Sequence, residues 1–238
     1  MHKKIAFLFL QIIFIHSAAY ANFDAGKIAY DKNDYVTARK EWLLSADQGD
    51  AKSQYFIGNL YYNGLGVPVD EKEAVKWYLL AADRGDAEAQ FNLSMIYKNG
   101  LGIPQNSKEA LKWCRHAAER NQAKAQLDLG LMYLKGDGVI KDDKEAANWL
   151  QQAAEHEITE AQNSLGVIYQ HGWGVPKDYQ IAFKWIRSAA ESGNADAQFT
   201  LAEMYYKQMG TAQDYEEAFK WYLSAARQGQ LTAYKCWV

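Results

Sequence analysis

Apolar and polar positions along this chain recur on two scales. Over short stretches the spacing is helical: within Ala87–Asn99, residues Ala89, Gln90, Leu93, Ser94 and Tyr97 fall on one face. Over longer stretches the faces return every 36 residues. Trp77, Trp113, Trp149, Trp185 and Trp221 keep that step, as do Gln54, Gln90, Gln126, Gln162 and Gln198. So do Tyr61, Tyr97, Tyr133, Tyr169 and Tyr205, and the series Ala38, Ala74, Ala110, Ala146, Ala182 and Ala218. All three prolines, Pro68, Pro104 and Pro176, share one column. A period of this size marks a repeat architecture, in which a recurring residue is first explained by its place in the unit.

Each period predicts two helices. The first ends at a turn such as Gly100-Leu101-Gly102-Ile103-Pro104, where paired glycines and a proline disfavour continuation. The second starts at a capping column, Asp34, Asp70, Asn106, Asp142, Asp178 and Asp214, whose side chains can accept from the free N–H groups of the first turn. Glu73, Glu109, Glu145 and Glu217, three residues on, predict a reciprocal capping box. The second helix closes near Gly85, Gly193 or Gly229 where that glycine is kept. Neither helix can bury its apolar stripe alone, so neighbours must stack into an all-α solenoid of tandem helix pairs. The small-residue column Gly58, Ser94, Gly130, Gly166 and Ala202 allows close approach, and the tryptophan column is expected to be core. The glutamines are expected to be buried amides bonded to backbone.

Full units span 51–86, 87–122, 123–158, 159–194 and 195–230. Residues 22–50 read as a helix pair lacking the glycine–proline turn. There Trp42 falls one position late, in the column of Tyr78, Cys114 and Leu150. Residues 231–238 read as a partial capping helix, and its apolar end around Trp237 offers a route to self-association.

Composition sharpens this picture at the ends. Lys3 and Lys4, the apolar run Ile5 to Ile15 and the small-x-small Ala19-Tyr20-Ala21 read as a signal peptide over 1–21, cleaved after Ala21. The run is about half the length a membrane-spanning helix needs. The expectation is therefore export to a periplasm or beyond, with no stable membrane insertion. Net charge is −3, which argues against a nucleic-acid partner, because phosphate binding wants a concentrated basic face.

Motifs with catalytic chemistry are absent. The Gly-x-Gly sequences at 64–66, 100–102, 136–138 and 172–174 lack the third glycine and the preceding strand of a phosphate cradle, so they read as helix–helix turns. His116, His156 and His171 occupy unrelated columns, so no metal site is expected, nor any cofactor. Cys114 sits in an apolar column as a buried thiol. Cys236 lies about three repeats away, roughly 30 Å at ~10 Å per stacked pair, too far for a disulfide.

The stretch 85–118, Gly-Asp-Ala-Glu-Ala-Gln…Leu-Ser…Tyr…Gly-Leu-Gly-Ile-Pro…Glu-Ala…Trp…Ala-Ala, closely resembles the Sel-one-like repeat family, a tetratricopeptide relative with an inserted loop. The resemblance covers about residues 23–238. It implies a right-handed α/α superhelix whose concave face recognises proteins, and exported bacterial members resemble adaptors, envelope factors, and inhibitors or immunity proteins. One cysteine-rich branch is described as penicillin-binding or β-lactamase-like. That branch carries a cysteine pair in every repeat, whereas this chain has only Cys114 and Cys236, so hydrolysis is the alternative and a non-enzymatic protein-binding module the expectation.

Recognition should lie where the columns vary. First-helix positions opposite the constant stripe are Asn59, Asn92, Met95, Asp128, Leu131, Ser164, Val167, Thr200 and Glu203. Their mixed character suits a protein partner. Trp173, between two turn glycines, is a further candidate as an exposed hot spot or as a cover over the neighbouring unit.

Overall fold

A computed structural model of the chain describes residues 22–229. The signal segment 1–21, the capping segment 231–238, Cys236 and Trp237 lie outside the described residues. Within them are twelve helices and no strand. They are α1 (22–31) and α2 (Tyr35–Ala46), then the pairs α3 (Ala51–Asn63) and α4 (Glu71–Asp83), and α5 (Ala87–Asn99) and α6 (Ser107–Glu119). There follow α7 (Ala123–Lys135) and α8 (Asp143–Glu155), α9 (Thr159–His171) and α10 (Tyr179–Glu191), and α11 (Ala195–Lys207) and α12 (Tyr215–Arg227). The chain divides between Arg120 and Asn121 into two compact units. In the first, α3 packs on α2 and α4, and α5 on α4 and α6; in the second, each helix from α7 to α12 packs on its sequence neighbours. This is the all-α solenoid of stacked helix pairs.

The second helix of each pair starts where the capping column places it. Asp34, Asp70, Asn106, Asp142, Asp178 and Asp214 each accept first-turn N–H groups at 2.8–3.2 Å. The reciprocal half of the expected capping box is not made. From Asp70 onward, the N–H of each capping residue donates instead to the carbonyl of the tyrosine nine residues earlier: Tyr61, Tyr97, Tyr133, Tyr169 or Tyr205, at 2.9–3.2 Å. With that donor taken, Glu73, Glu109 and Glu217 turn outward to Lys76, Lys112 and Lys220 on the same helix. A second capping column, unforeseen from the sequence, starts the first helices. Asp50, Asp86, Gln122 and Asn194 accept the N–H three residues on, while Ile158, in the same place, has no side-chain acceptor.

Burial corrects the expectation that the tryptophans are core. Trp113 is buried, but Trp77, Trp149, Trp185 and Trp221 are only half-buried. The central column lies one residue later, and Trp42, Tyr78, Cys114, Leu150, Ile186 and Tyr222 are all buried there. One residue is about 100° around a helix. The tryptophans therefore flank the pair's centre and reach back to the preceding one. Trp77 packs on the cluster of Trp42, Ile57 and Leu60, Trp185 on that of Leu150, Leu165 and Ile168, and Trp221 on that of Ile186, Leu201 and Met204. The late position of Trp42 is thus the central one, and its side chain is 0% exposed.

The small-residue column faces this central column. A Cβ on Gly58 would lie 2.7 Å from the Tyr78 ring, one on Gly130 2.6 Å from Leu150 and one on Gly166 2.5 Å from Ile186. The glutamines are buried as expected, and Gln54, Gln90, Gln162 and Gln198 donate to the carbonyls of Ala46, Ala82, Ala154 and Ala190. Gln126 reaches the side chains of Asn121 and Gln152. At Gly66, Gly102, Gly174 and Gly210 the second turn glycine packs on the preceding helix pair, whereas Gly138 meets only Met132 of its own repeat. A Cβ on Gly174 would meet the Asp143 main chain at 2.3 Å, and one on Gly210 the Tyr179 carbonyl at 2.0 Å. At the other turn, between repeats, Gly85 and Gly193 have φ near +90°, and Asn121 (φ 62°) and Glu157 (φ 61°) hold the same left-handed position without a glycine.

Candidate functional site

In the first unit three of the nine variable positions come together. Asn59 projects from α3, and Asn92 and Met95 project from α5, into one cleft of about 210 Å³. Tyr62 and Asn63 at the end of α3, Tyr78 of α4 and Ile96 complete its walls, and no charged side chain lines it. The position of Tyr78 follows from the helix pair. Opposite Gly58 its ring enters the central column, and its hydroxyl emerges at the cleft to donate to Asn59 Oδ1 at 2.7 Å. Asn63 Nδ2 donates to the Asn59 carbonyl at 2.9 Å.

Burial sets the electrostatics. The Tyr78 hydroxyl is held well above the usual phenol range, first by burial and then by the neighbouring Tyr55, with the Asn92 amide acting in the opposite direction. Burial likewise raises Tyr55, against the amides of Asn59 and Asn92. Both phenols therefore stay neutral donors, and the cleft is an uncharged surface of amides and hydroxyls over Met95 and Ile96.

The second unit repeats one part of this arrangement. Tyr222, four periods after Tyr78, donates to Glu203 Oε1 at 2.6 Å, and Glu203 stands four periods after Asn59. Glu203 also pairs with Lys207. Burial pushes its carboxyl up, but the hydrogen bonds from Lys207 and Tyr222 more than offset this, so it sits below the usual glutamate range. The other positions in that unit divide by role. Leu131 packs on the cluster around Leu150 and Leu165, and Val167 on that around Ile186 and Leu201, so both serve partly as packing. Thr200 Oγ1 is turned back to the Asp196 carbonyl at 2.9 Å, while Asp128 and Ser164 are half-buried. Trp173 is 40% exposed and stacks on His171 of its own turn, ring centroids 4.7 Å apart. The histidines stand at separate helix ends, His116 in the last turn of α6, His156 capping α8 and His171 closing α9.

The sequence reading missed Tyr62, Asn63, Tyr78 and Ile96. Tyr78 left a usable signal: like Tyr222 it is a hydroxyl in a column otherwise held by Trp42, Cys114, Leu150 and Ile186, so its polar tip had to reach a partner at the rim.

Stacked helix pairs with a cleft of variable residues define a helical-repeat binding scaffold. The Sel1 repeat model matches residues 51–86, 87–122, 123–157, 159–194 and 195–230, and the chain belongs to the Sel1 repeat family. It is similar to a Sel1 repeat protein from Oxalobacter formigenes, at 39% identity over 90% of this chain and 88% of that one, with a TM-score of 0.83. It is also similar to c5321, a protective antigen present in uropathogenic Escherichia coli strains displaying an SLR fold. That match has 35% identity over 92% of this chain and a TM-score of 0.82, and the chain spans 48% of the other's length. No curated protein matches the chain in sequence. Sel1 repeats mediate protein–protein interaction and are in general non-catalytic, so the chain is a protein-interaction scaffold. No helix among the described residues is long and apolar enough to cross a membrane.

Proposed function

We propose that the chain is an exported, non-enzymatic adaptor or inhibitor that holds one protein partner on the variable face of its first helices. The observation that carries this reading is the cleft, where Asn59, Asn92 and Met95 converge although they lie up to 36 residues apart in sequence. In the second unit the corresponding positions are Asp128, Leu131, Ser164, Val167, Thr200 and Glu203, with Trp173 as an exposed anchor. Export is supported by the pattern of residues 1–21.

The test is affinity capture with crosslinking from envelope extract, using protein that begins at Asn22. The expected result is one partner recovered repeatedly, with crosslinks concentrated on α3 and α5. Repeated failure to recover any partner, or crosslinks confined to the opposite helix faces, would count decisively against the reading. Rescue of cells from an envelope-directed toxin by co-expression then separates inhibitor from adaptor.

A further inference from the structure

We propose that the outer face of α12 is a docking surface for a second copy of this chain, and that the two copies pair there about a two-fold axis. Tyr215, Phe219 and Leu223 stand at i, i+4 and i+8 on one side of the helix. Tyr206 of α11 extends the patch, its ring 5.5 Å from that of Tyr215. Their exposures are 59%, 46% and 40%, with 51% for Tyr206, so four large apolar side chains reach solvent side by side.

The repeat itself shows what such a face is built to touch. Tyr35, Glu71, Asp143 and Tyr179 hold the place of Tyr215 in earlier pairs. Each lies under the second bend glycine of the pair that follows: Gly66, Gly102, Gly174 and Gly210. One turn on, the place of Phe219 meets the tyrosine column of the following pair. Arg39 Nη1 donates to the Tyr61 hydroxyl at 3.1 Å, and Tyr205 stands edge-on to Phe183 at 5.4 Å. Val75 and Ala147, in the same place, are buried in clusters on which Tyr97 and Tyr169 pack. Tyr179 is accordingly only half-buried where Tyr215 is exposed. Among the described residues no helix pair follows α12, yet its residues keep the apolar chemistry of a stacking face.

The choice of a two-fold contact follows from the two ends. Residues 22–34 have neither the paired bend glycines nor a tyrosine in that column, so a head-to-tail contact cannot rebuild the interior cover. A two-fold contact needs no second surface, because the stripe pairs with itself. An axis near Phe219 sets Tyr215 of one copy against Leu223 of the other, and turns the last-turn Arg227 toward the acidic first turn with Glu216. Lys220, beside the axis, is neutralised by Glu216 and Glu217 of its own helix. Area agrees. A fully buried aromatic side chain covers about 150–250 Å², so these half-covered ones leave on the order of 400 Å² per copy. Two copies with their rim therefore reach roughly 1,000 Å², the lower limit of a specific interface.

An interface at that limit predicts a Kd on the order of 10–100 μM, so sedimentation equilibrium of the chain from Asn22 across that range should show the mass rising from one copy to two. Tyr215→Lys and Leu223→Glu, both at exposed positions, should each weaken the dimer at least about tenfold, because each buries an unpaired charge twice in the contact. Their urea midpoints should stay at the wild-type value. Mixed together, the two variants should associate again, since one end of the contact keeps its native pair and at the other the new ammonium faces the new carboxylate. A strict monomer would overturn the proposal, and photo-crosslinks from position 215 to residues 230–238 of the same chain would then identify that segment as the cover. Masses that grow beyond two copies, a dimer indifferent to both variants, or a mixture no tighter than either variant alone would overturn it equally.

Discussion

Gly166→Ala sets two effects of known sign against each other. Alanine is the better helix former, worth about 1 kcal/mol over glycine in a helix interior. The new methyl, however, would sit 2.5 Å from Ile186 Cγ1, 2.6 Å from its Cδ1 and 3.2 Å from its main-chain nitrogen. Ile186 is fully buried and β-branched, so it has little rotamer freedom with which to retreat. Overpacking of this kind costs about 1–3 kcal/mol, so the net expectation is a loss of about 1 kcal/mol. In an Ile186→Ala background the two side-chain atoms are gone and only the main-chain nitrogen at 3.2 Å remains, so the same Gly166→Ala change should stabilise by up to about 1 kcal/mol. The assay is urea unfolding of the four proteins of the cycle, followed by tryptophan fluorescence and by far-ultraviolet circular dichroism. Stabilisation by Gly166→Ala in the wild-type background, or the same effect in both backgrounds, would refute the claim that this column sets the spacing of the two helices.

Other expectations follow from the same contacts. Glu157→Gly should raise stability by about 0.5–1 kcal/mol, because Glu157 holds a left-handed conformation (φ 61°) that glycine adopts freely; an unchanged urea midpoint would contradict this. Trp42→Ala should cost about 3–5 kcal/mol, since the indole is fully buried, stacks on Phe56 at 4.8 Å and donates to the Phe23 carbonyl. Trp173→Ala should cost about 1 kcal/mol or less, and equal losses in the two variants would reverse the assignment of centre and rim. The carboxyl of Glu203 is depressed in the folded chain, so its stabilising contribution is complete above its ordinary value of 4.5 and is lost as pH falls through the lower folded value. The stability gap between wild type and Glu203→Gln should therefore close on acidification, as read from urea midpoints at neutral and acid pH.

The sequence exposes what recurs and hides how deep it lies. The capping aspartates, the glutamine amides and the close-approach glycines were all legible, because each is a local chemical need repeated at one place in the unit. Depth was not legible. Tryptophan recurs five times and looks like core, but the column that varies between Tyr78, Cys114, Leu150 and Ile186 is the buried one, since volume there is matched pair by pair to its neighbour. Trp42, apparently out of register, marked that column. The capping box failed for a related reason: the residues suit it, but the competing acceptor is a carbonyl nine residues upstream that local pattern does not reveal. At the cleft, Asn59, Asn92 and Met95 could be read as facing away from the constant stripe. Tyr78 could not, because its ring is central and only its hydroxyl reaches the rim.

The bond from each capping N–H to the tyrosine carbonyl nine residues earlier has a consequence for how such chains diversify. Both partners are main chain, so no replacement short of a proline at the capping position can delete it, and the hairpin stays latched as the bend varies. Ile140 and Ala212 stand where the other bends have proline, yet Asp142 and Asp214 keep the latch, at 3.1 and 3.2 Å. Ile140 is 92% exposed there. The bends can therefore differ from repeat to repeat, as Leu101, Asp137 and Trp173 do, without loosening the stack that carries them.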